Sequence, residues 1–320
     1  MNVKKIGVVG AGYMGSALAF RFGLADFEIV LVDRDEQILQ RAINRIQQIS
    51  KAYLDERIIN DHQLQKIHHN IIKTTNYDNL HDVDFVLEAV TQDLVTKKEV
   101  FKKLDKVCQT HTVFATIQLT IPCDELAIVT NKPEKVIAVE FLSPAEFLPV
   151  AEIVPGTRTS EQTVHTTENV LKKARYLPVI SKKPILSGAG FLISRFITKI
   201  YSEALMLVED GLANPQQVDF VLKYGIGPRL CIDGAFQGID YSGLDTYSRG
   251  LKGRYERTGN PVYRAWAILD GKISKNELGF KSGKGFYDYP DPERALYERS
   301  RAFLSLLKSL GVRITKPEES

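Results

Sequence analysis

The stretch Lys4-Lys5-Ile6-Gly7-Val8-Val9 runs directly into Gly10-Ala11-Gly12-Tyr13-Met14-Gly15-Ser16-Ala17-Leu18-Ala19. The first part is short, apolar and rich in β-branched residues, and reads as a strand; the second reads as a glycine turn entering a helix. A strand that feeds G-x-G-x-x-G into a helix is a dinucleotide-binding pattern in which each glycine has a task. Gly10 makes the tight turn, Gly12 lets the backbone approach a pyrophosphate, and Gly15 lets helix and strand pack closely. The first N–H groups of the helix then face the phosphates. A second apolar strand, Ile29-Val30-Leu31-Val32, ends on Asp33, eighteen residues after Gly15. An acid at that spacing accepts from the adenosine ribose hydroxyls and repels a 2′-phosphate. The expected cofactor is therefore NAD rather than NADP, and the neighbouring Arg34 reads as a solvated charge.

Working outward, strand and helix patterns alternate, as in a doubly wound parallel sheet with helices on both faces. Asp84–Glu88 and Thr112–Ala115 read as strands around a charged helix, Thr96–Val107. Val136–Val139 and Ala151–Val154 add two more, separated by a loop that holds Glu140. The alternation stops near Ser181-Lys182-Lys183-Pro184, beyond which the apolar spacing is helical over Phe191–Gly211 and again over Glu293–Leu310. The expected architecture is a Rossmann-type α/β domain over 1–184 followed by an all-α domain over 185–320.

Composition restricts the partners. At 320 residues the chain exceeds one typical domain. A net charge of +3, with 25% charged residues of both signs interspersed, leaves no basic stripe for nucleic acid. No apolar run is long enough to span a bilayer, and a first strand beginning by residue 4 leaves no room for a signal peptide, so a cytoplasmic protein is expected. Cys108, Cys123 and Cys231 lack C-x-x-C spacing and read as reduced, packed thiols. His62, His68, His69 and His81 lie in a polar region without supporting ligands, so no metal site is expected.

A resemblance rests on several further segments taken in order. They are Gly10–Gly15; Glu88-Ala89-Val90 followed by Lys97; Ser143-Pro144 with Glu152 shortly after; Gly190-Phe191-Leu192-Ile193-Ser194-Arg195; Gly243-Leu244-Asp245; and Lys281-Ser282-Gly283-Lys284-Gly285-Phe286-Tyr287. With these, the chain resembles the 3-hydroxyacyl-CoA dehydrogenase family over residues 4 to 290. The Gly225-Ile226-Gly227-Pro228-Arg229 segment is most similar to the branch that includes lambda-crystallin and carnitine dehydrogenases. The resemblance implies a small-molecule substrate, an active site in a cleft between the domains, and a homodimer formed through the helical domain. It implies cofactor contacts at Gly10, Ala11, Gly12, Tyr13, Met14, Gly15, Asp33, Gln92, Lys97, Ser143 and Lys281.

At the catalytic centre the chain departs from the family pattern. The family's histidine, which removes the hydroxyl proton, corresponds to Glu140, while the glutamate that orients it persists as Glu152. A family serine corresponds to Leu119, and the asparagine that helps hold the substrate carbonyl corresponds to Ser194. Residues that contact coenzyme A in the family fall on Ile49 and Glu56, and a glutamate there repels phosphate, with Lys51 or Arg57 as the alternative contacts. Two adjacent carboxylates cannot easily both ionise, so a Glu140/Glu152 pair sharing a proton supplies a general acid or base near neutral pH. The expected activity is hydride transfer between NAD and a 3-hydroxy or 3-keto acyl compound or a small hydroxy acid, carried by Glu140, Glu152 and Ser194. Two alternatives stay open at this point. One is an imine or amino-alcohol oxidoreductase whose carboxylates attract a cation. The other is an NAD-binding protein without turnover, in which Glu140 forms an ion pair with Lys281 or Arg195.

Overall fold

A computed structural model describes residues 2–91, 93–117, 121–181 and 191–312. Gln92, Leu119 and the expected boundary at 184 lie outside the described residues. The chain divides into two compact units, Met1–Tyr201 and Ser202–Ser320.

The first unit is built on an eight-stranded sheet in the order β3-β2-β1-β4-β5-β6-β7-β8. Its strands are β1 (Lys5–Val9), β2 (Glu28–Val32), β3 (Ile71–Thr74), β4 (Phe85–Glu88), β5 (Val113–Ile117), β6 (Val136–Phe141), β7 (Val150–Pro155) and β8 (Leu177–Ile180). The first six are mutually parallel; β7 runs antiparallel to β6, and β8 follows the direction of β7. Strand alternation sends Ile6, Leu87, Ala115, Val139 and Ile153 to one face. Val9, Val86, Phe114, Ala138 and Val154 go to the other.

Helices cover both faces, which is why these strands are almost wholly apolar. On the first face lie α1 (Tyr13–Leu24), α2 (Glu36–Asp55), α3 (Asp61–Asn70) and, beyond the helices α4 (Leu94–Val107) and α5 (Asp124–Ala127), α6 (Glu161–Lys173). Helices α4 and α5 pack on the second. Fully buried Phe20, Phe22, Phe27, Phe101 and Phe114 anchor these layers, each side chain worth roughly 1.5–3 kcal/mol on burial.

One expectation is corrected here. Glu140 is not in a loop: β6 continues through Phe141 because pairing with β7 extends the ladder, with Glu140 opposite Glu152 and Phe141 opposite Ala151. The chain leaves the sheet only afterwards, at the cis Ser143–Pro144 bond.

Helix α7 (Leu192–Glu209) closes on Gly211, whose φ of +69° suits a residue without a Cβ. In the second unit follow α8 (Pro215–Val221), a π-helical turn over Leu222–Ile226, α9 (Gly227–Asp233), α10 (Phe236–Ser242), α11 (Leu244–Thr258), α12 (Ala267–Ile273) and α13 (Pro292–Ser309). The glycine-rich Lys281–Tyr287 segment is tied to α10 by a single buried carboxylate. Asp240 accepts from the N–H groups of Phe286 (2.9 Å) and Tyr287 (3.0 Å) and from the Tyr289 hydroxyl (3.0 Å). A Cβ on Gly285 would lie 2.2 Å from Asp240 Oδ1, so only glycine admits this approach. Cys108 and Cys123 are buried as expected, but Cys231 is exposed.

Candidate active site

The parallel strands deliver the chemically interesting residues to one edge of the sheet. Gly10 follows β1, Asp33 follows β2, Glu88 ends β4 and Glu140 lies near the end of β6; β7 runs the other way, so Glu152 near its start reaches the same edge. Ligands of such sheets bind beyond the carboxyl ends of the strands.

The glycine turn fits a dinucleotide. A Cβ on Gly15 would lie 1.7 Å from Gly10 O, and one on Gly10 would lie 2.7 Å from Ala89 O, so both glycines are required by packing. Gly12 differs: nothing lies within 4 Å of its would-be Cβ, leaving open space above the backbone. Gly12 also caps α1 without a side-chain hydrogen bond, so the helix presents its first N–H groups uncapped, at its positive end. Asp33 accepts from the Ala11 N–H (2.8 Å), tying β2 to the turn. Arg45 of α2 stacks over the exposed Tyr13 ring at 3.8 Å and donates to Tyr13 O (2.6 Å), which steadies the start of α1. Met14, the next residue, packs against the first-face core.

The other expected cofactor contacts divide. Ser143 is exposed, two residues beyond the end of β6. Lys281, in the second unit, is paired with Asp245 at 2.5 Å. Lys97 departs from the expectation of a direct contact: it is fully buried, bonding Glu88 at 2.8 and 2.9 Å and Ile117 O at 3.2 Å. Glu88 also accepts from the Thr116 hydroxyl (2.6 Å) and the Val90 N–H (2.9 Å). The pair is a strut that orders the ends of β4 and β5.

Glu140 and Glu152 stand on the same face as Glu88 and Thr116, two residues nearer the sheet edge than Ala138 and Val154 of that row. Direct opposition in an antiparallel pair places Cβ atoms about 4.5–5.5 Å apart, on one side of the sheet. Both carboxylates are buried, at 2% and 1% exposure. Glu152 is well supplied with donors: the Ser181 hydroxyl reaches Oε1 at 2.5 Å and the Ile193 N–H reaches Oε2 at 3.1 Å. Glu140 meets Ser194, but its Oε2 is buried without a hydrogen-bond partner. Burial pushes the Glu140 carboxyl up to about 7, the Glu152 charge adds to the rise, and the N–H and hydroxyl of Ser194 oppose it. An isolated buried carboxylate is costly, so the proton is the compensation.

Ser194 is used locally. Its hydroxyl accepts from the Phe191 N–H (2.8 Å) and donates to Phe191 O (3.2 Å), closing the first turn of α7. Its N–H and hydroxyl also act on Glu140. Ser181 and the Ile193 N–H are the members of the site that the sequence does not announce. Ser181 begins a polar Ser-Lys-Lys-Pro run that reads as a linker, and a backbone N–H has no sequence signature. Among the described residues, no group of three or more His, Cys, Asp or Glu side chains is placed to hold a metal ion.

The fold, an uncapped glycine turn and a buried acidic pair at the same sheet edge are the parts of a nicotinamide-dependent oxidoreductase. The family model for the NAD-binding domain of 3-hydroxyacyl-CoA dehydrogenase matches residues 5–184, and that for its C-terminal domain matches residues 190–289. The chain belongs to the 3-hydroxyacyl-CoA dehydrogenase family, and its cofactor is NAD. It is 28% identical over 291 residues to a probable 3-hydroxybutyryl-CoA dehydrogenase of Bacillus subtilis, covering 91% of this chain and 99% of that one. It is 29% identical to the human mitochondrial hydroxyacyl-coenzyme A dehydrogenase, covering 90% and 91% of the two chains. The crystal structure of a 3-hydroxyacyl-CoA dehydrogenase from Archaeoglobus fulgidus superposes with a TM-score of 0.80 at 29% identity, covering 97% of this chain and 100% of that one.

Proposed function

We propose that this protein interconverts a hydroxyl and a carbonyl group on a 3-hydroxy or 3-keto acyl compound or a small hydroxy acid, with Glu140 as the acid–base group. The observation that carries this reading is Glu140 itself: buried, opposite a second carboxylate, and with one oxygen unpartnered. A carboxyl that holds its proton near neutral pH donates it to a carbonyl oxygen and recovers it from a hydroxyl, which is the task of an acid–base group. When bound, NAD supplies or accepts the hydride. In the reducing direction Glu140 gives its proton to the oxygen, leaving a hydroxyl and a carboxylate that regains a proton from solvent. In the oxidising direction the carboxylate takes the hydroxyl proton. Glu152 maintains the charge that keeps Glu140 basic.

The rise in the proton affinity of Glu140 favours this reading over attraction of a cationic substrate, which needs both carboxylates charged. The unpartnered Oε2 of Glu140 favours it over a protein that binds without turnover. A small acid is favoured over a coenzyme A ester: Ile49 is packed in the core and Glu56 is an exposed acid, so neither contacts phosphate as its family counterpart does. The gap between the two family matches supports a domain boundary near residue 184. The large exposed apolar side chains of α7, Leu192, Phe196, Tyr201, Leu205 and Met206, support a homodimer in which a second copy covers them. Among the described residues, no helix is long and apolar enough to cross a membrane.

The test compares the wild type with Glu140→Gln and Glu140→His across a panel of keto acids and 3-ketoacyl compounds. Glu140→Gln should lose at least ~100-fold in kcat, the lower range of acid–base contributions, with NADH binding unchanged. Glu140→His should retain turnover, because Glu152 can orient an imidazole in the same place. Full activity in Glu140→Gln would remove Glu140 from the mechanism.

A further inference from the structure

Glu140 and Glu152 are chemically identical and face each other across one ladder step, so nothing in their identity decides which carries a shared proton. Their surroundings do. Glu152 Oε1 receives the Ser181 hydroxyl at 2.5 Å and Oε2 receives the Ile193 N–H at 3.1 Å, so each of its oxygens has a donor. Glu140 Oε2 has none. Donors bonded to a carboxylate favour its charged form, and the Ile193 donor belongs to the first turn of α7, where the helix dipole also favours an anion.

We propose that Ser181 is a positioning residue: its hydroxyl, together with the Ile193 N–H, fixes Glu152 as the anion of the pair and leaves the proton on Glu140. The charges on the flanking elements are the buried Glu88–Lys97 pair, which neutralises itself beside Thr116 and Ile117, and the exposed Arg195 of α7. On β5 the residues nearest the edge are Thr116 and Ile117, on β8 they are Leu177 and Pro178 with Val179 directly beside Glu152, and α7 contributes the N–H and hydroxyl of Ser194. The charged group acting on Glu140 is Glu152. The serine hydroxyl orients the acid without touching the reacting atoms. Its donor capacity is also independent of pH across the working range, unlike that of a histidine.

This inference rests on the reading of Glu140 as the acid–base group, and the experiment separates the two. Glutamate carboxyl carbons are labelled with carbon-13 in the full-length protein, and their signals are followed by NMR from pH 5 to 9. The signals missing in Glu140→Gln and Glu152→Gln provide the assignments. In the wild type the Glu140 signal should carry the protonation step near pH 7, while the Glu152 signal barely moves in that step. In Ser181→Ala the step should be shared, with both signals moving, and should shift upward by about one pH unit, the scale of one lost charge-assisted hydrogen bond. Ser181→Thr keeps the hydroxyl and should restore the wild-type pattern. A merely structural serine would change stability and leave the division of the proton as it was. If Glu140 shows no step near neutral pH, its acid–base reading fails. If it does, but Ser181→Ala leaves the division and midpoint unaltered, only the role of Ser181 is overturned.

Discussion

Glu140 of β6 and Glu152 of β7 are directly opposed across an antiparallel ladder, and only Glu152 has hydrogen-bond donors at both oxygens. Their relationship makes folding stability depend on pH. The Glu140 carboxyl rises from its ordinary 4.5 to about 7 in the folded state, so the folded protein binds this proton more tightly than the unfolded chain does. The corresponding stabilisation is fully present below pH 4.5 and is lost as pH rises through 7, a change of about 3 kcal/mol. Glu140→Gln removes the titration. Urea denaturation should therefore show the variant gaining on the wild type at pH 8, and a pH-independent difference between the two would refute the raised affinity.

The cofactor turn makes a prediction by contrast. Gly12→Ala places a methyl group in open space, whereas Gly15→Ala drives one into Gly10 O at 1.7 Å. The first variant should fold with wild-type stability yet bind NADH at least ~10-fold more weakly, because the methyl occupies the approach of the pyrophosphate. The second should unfold or lose several kcal/mol through the clash and the shifted helix. Calorimetry for binding and thermal melts for stability separate the two; equal behaviour would contradict the assignment of Gly12 to the ligand and Gly15 to packing.

Asp33 bonds the Ala11 N–H and stands where the ribose hydroxyls of NAD are expected. Asp33→Ala should weaken NADH binding by roughly 10-fold or more, on the scale of a charge-assisted hydrogen bond. Repulsion of a 2′-phosphate disappears with the charge, so NADPH should lose less. Titration of both nucleotides against both proteins measures the ratio, and an unchanged preference would count against Asp33.

The Glu88–Lys97 pair is buried on both sides. Removing one partner strands the other charge, so Lys97→Ala should cost about 3–5 kcal/mol. Combining it with Glu88→Gln should recover part of that loss, which a double-mutant cycle in urea will detect. Additive losses would show that Lys97 matters for something other than pairing.

What was legible in the chain and what was not follow from the range of the interactions. The glycine turn, Asp33 and the apolar strands are local signals, and the NAD-binding half follows from them. Strands β3 and β8 escape the same reading because they are the two sheet edges and largely uncovered, unlike the equally short but fully buried β4, and β8 contains Pro178, which an edge strand tolerates and a central one does not. Apolar spacing ends β6 at Val139, yet pairing with a strand ten residues further on carries it through Phe141. The same non-local pairing sets Glu140 against Glu152. Ser181 was hidden in a run of linker-like composition, since its importance comes from the carboxylate that folding brings to it. Lys97 is singled out from a run of solvated lysines by the family resemblance alone, and only burial distinguishes a strut from a ligand contact.

The most direct test of the central claim follows NADH absorbance at 340 nm while the wild-type protein meets a panel of small keto acids, acetoacetyl-CoA and other 3-keto compounds at pH 7, with NADH binding measured in parallel. The account predicts NADH oxidation by at least one member of the panel, falling at least ~100-fold in Glu140→Gln. Tight NADH binding without turnover of any member, or equal rates in the two proteins, would contradict it.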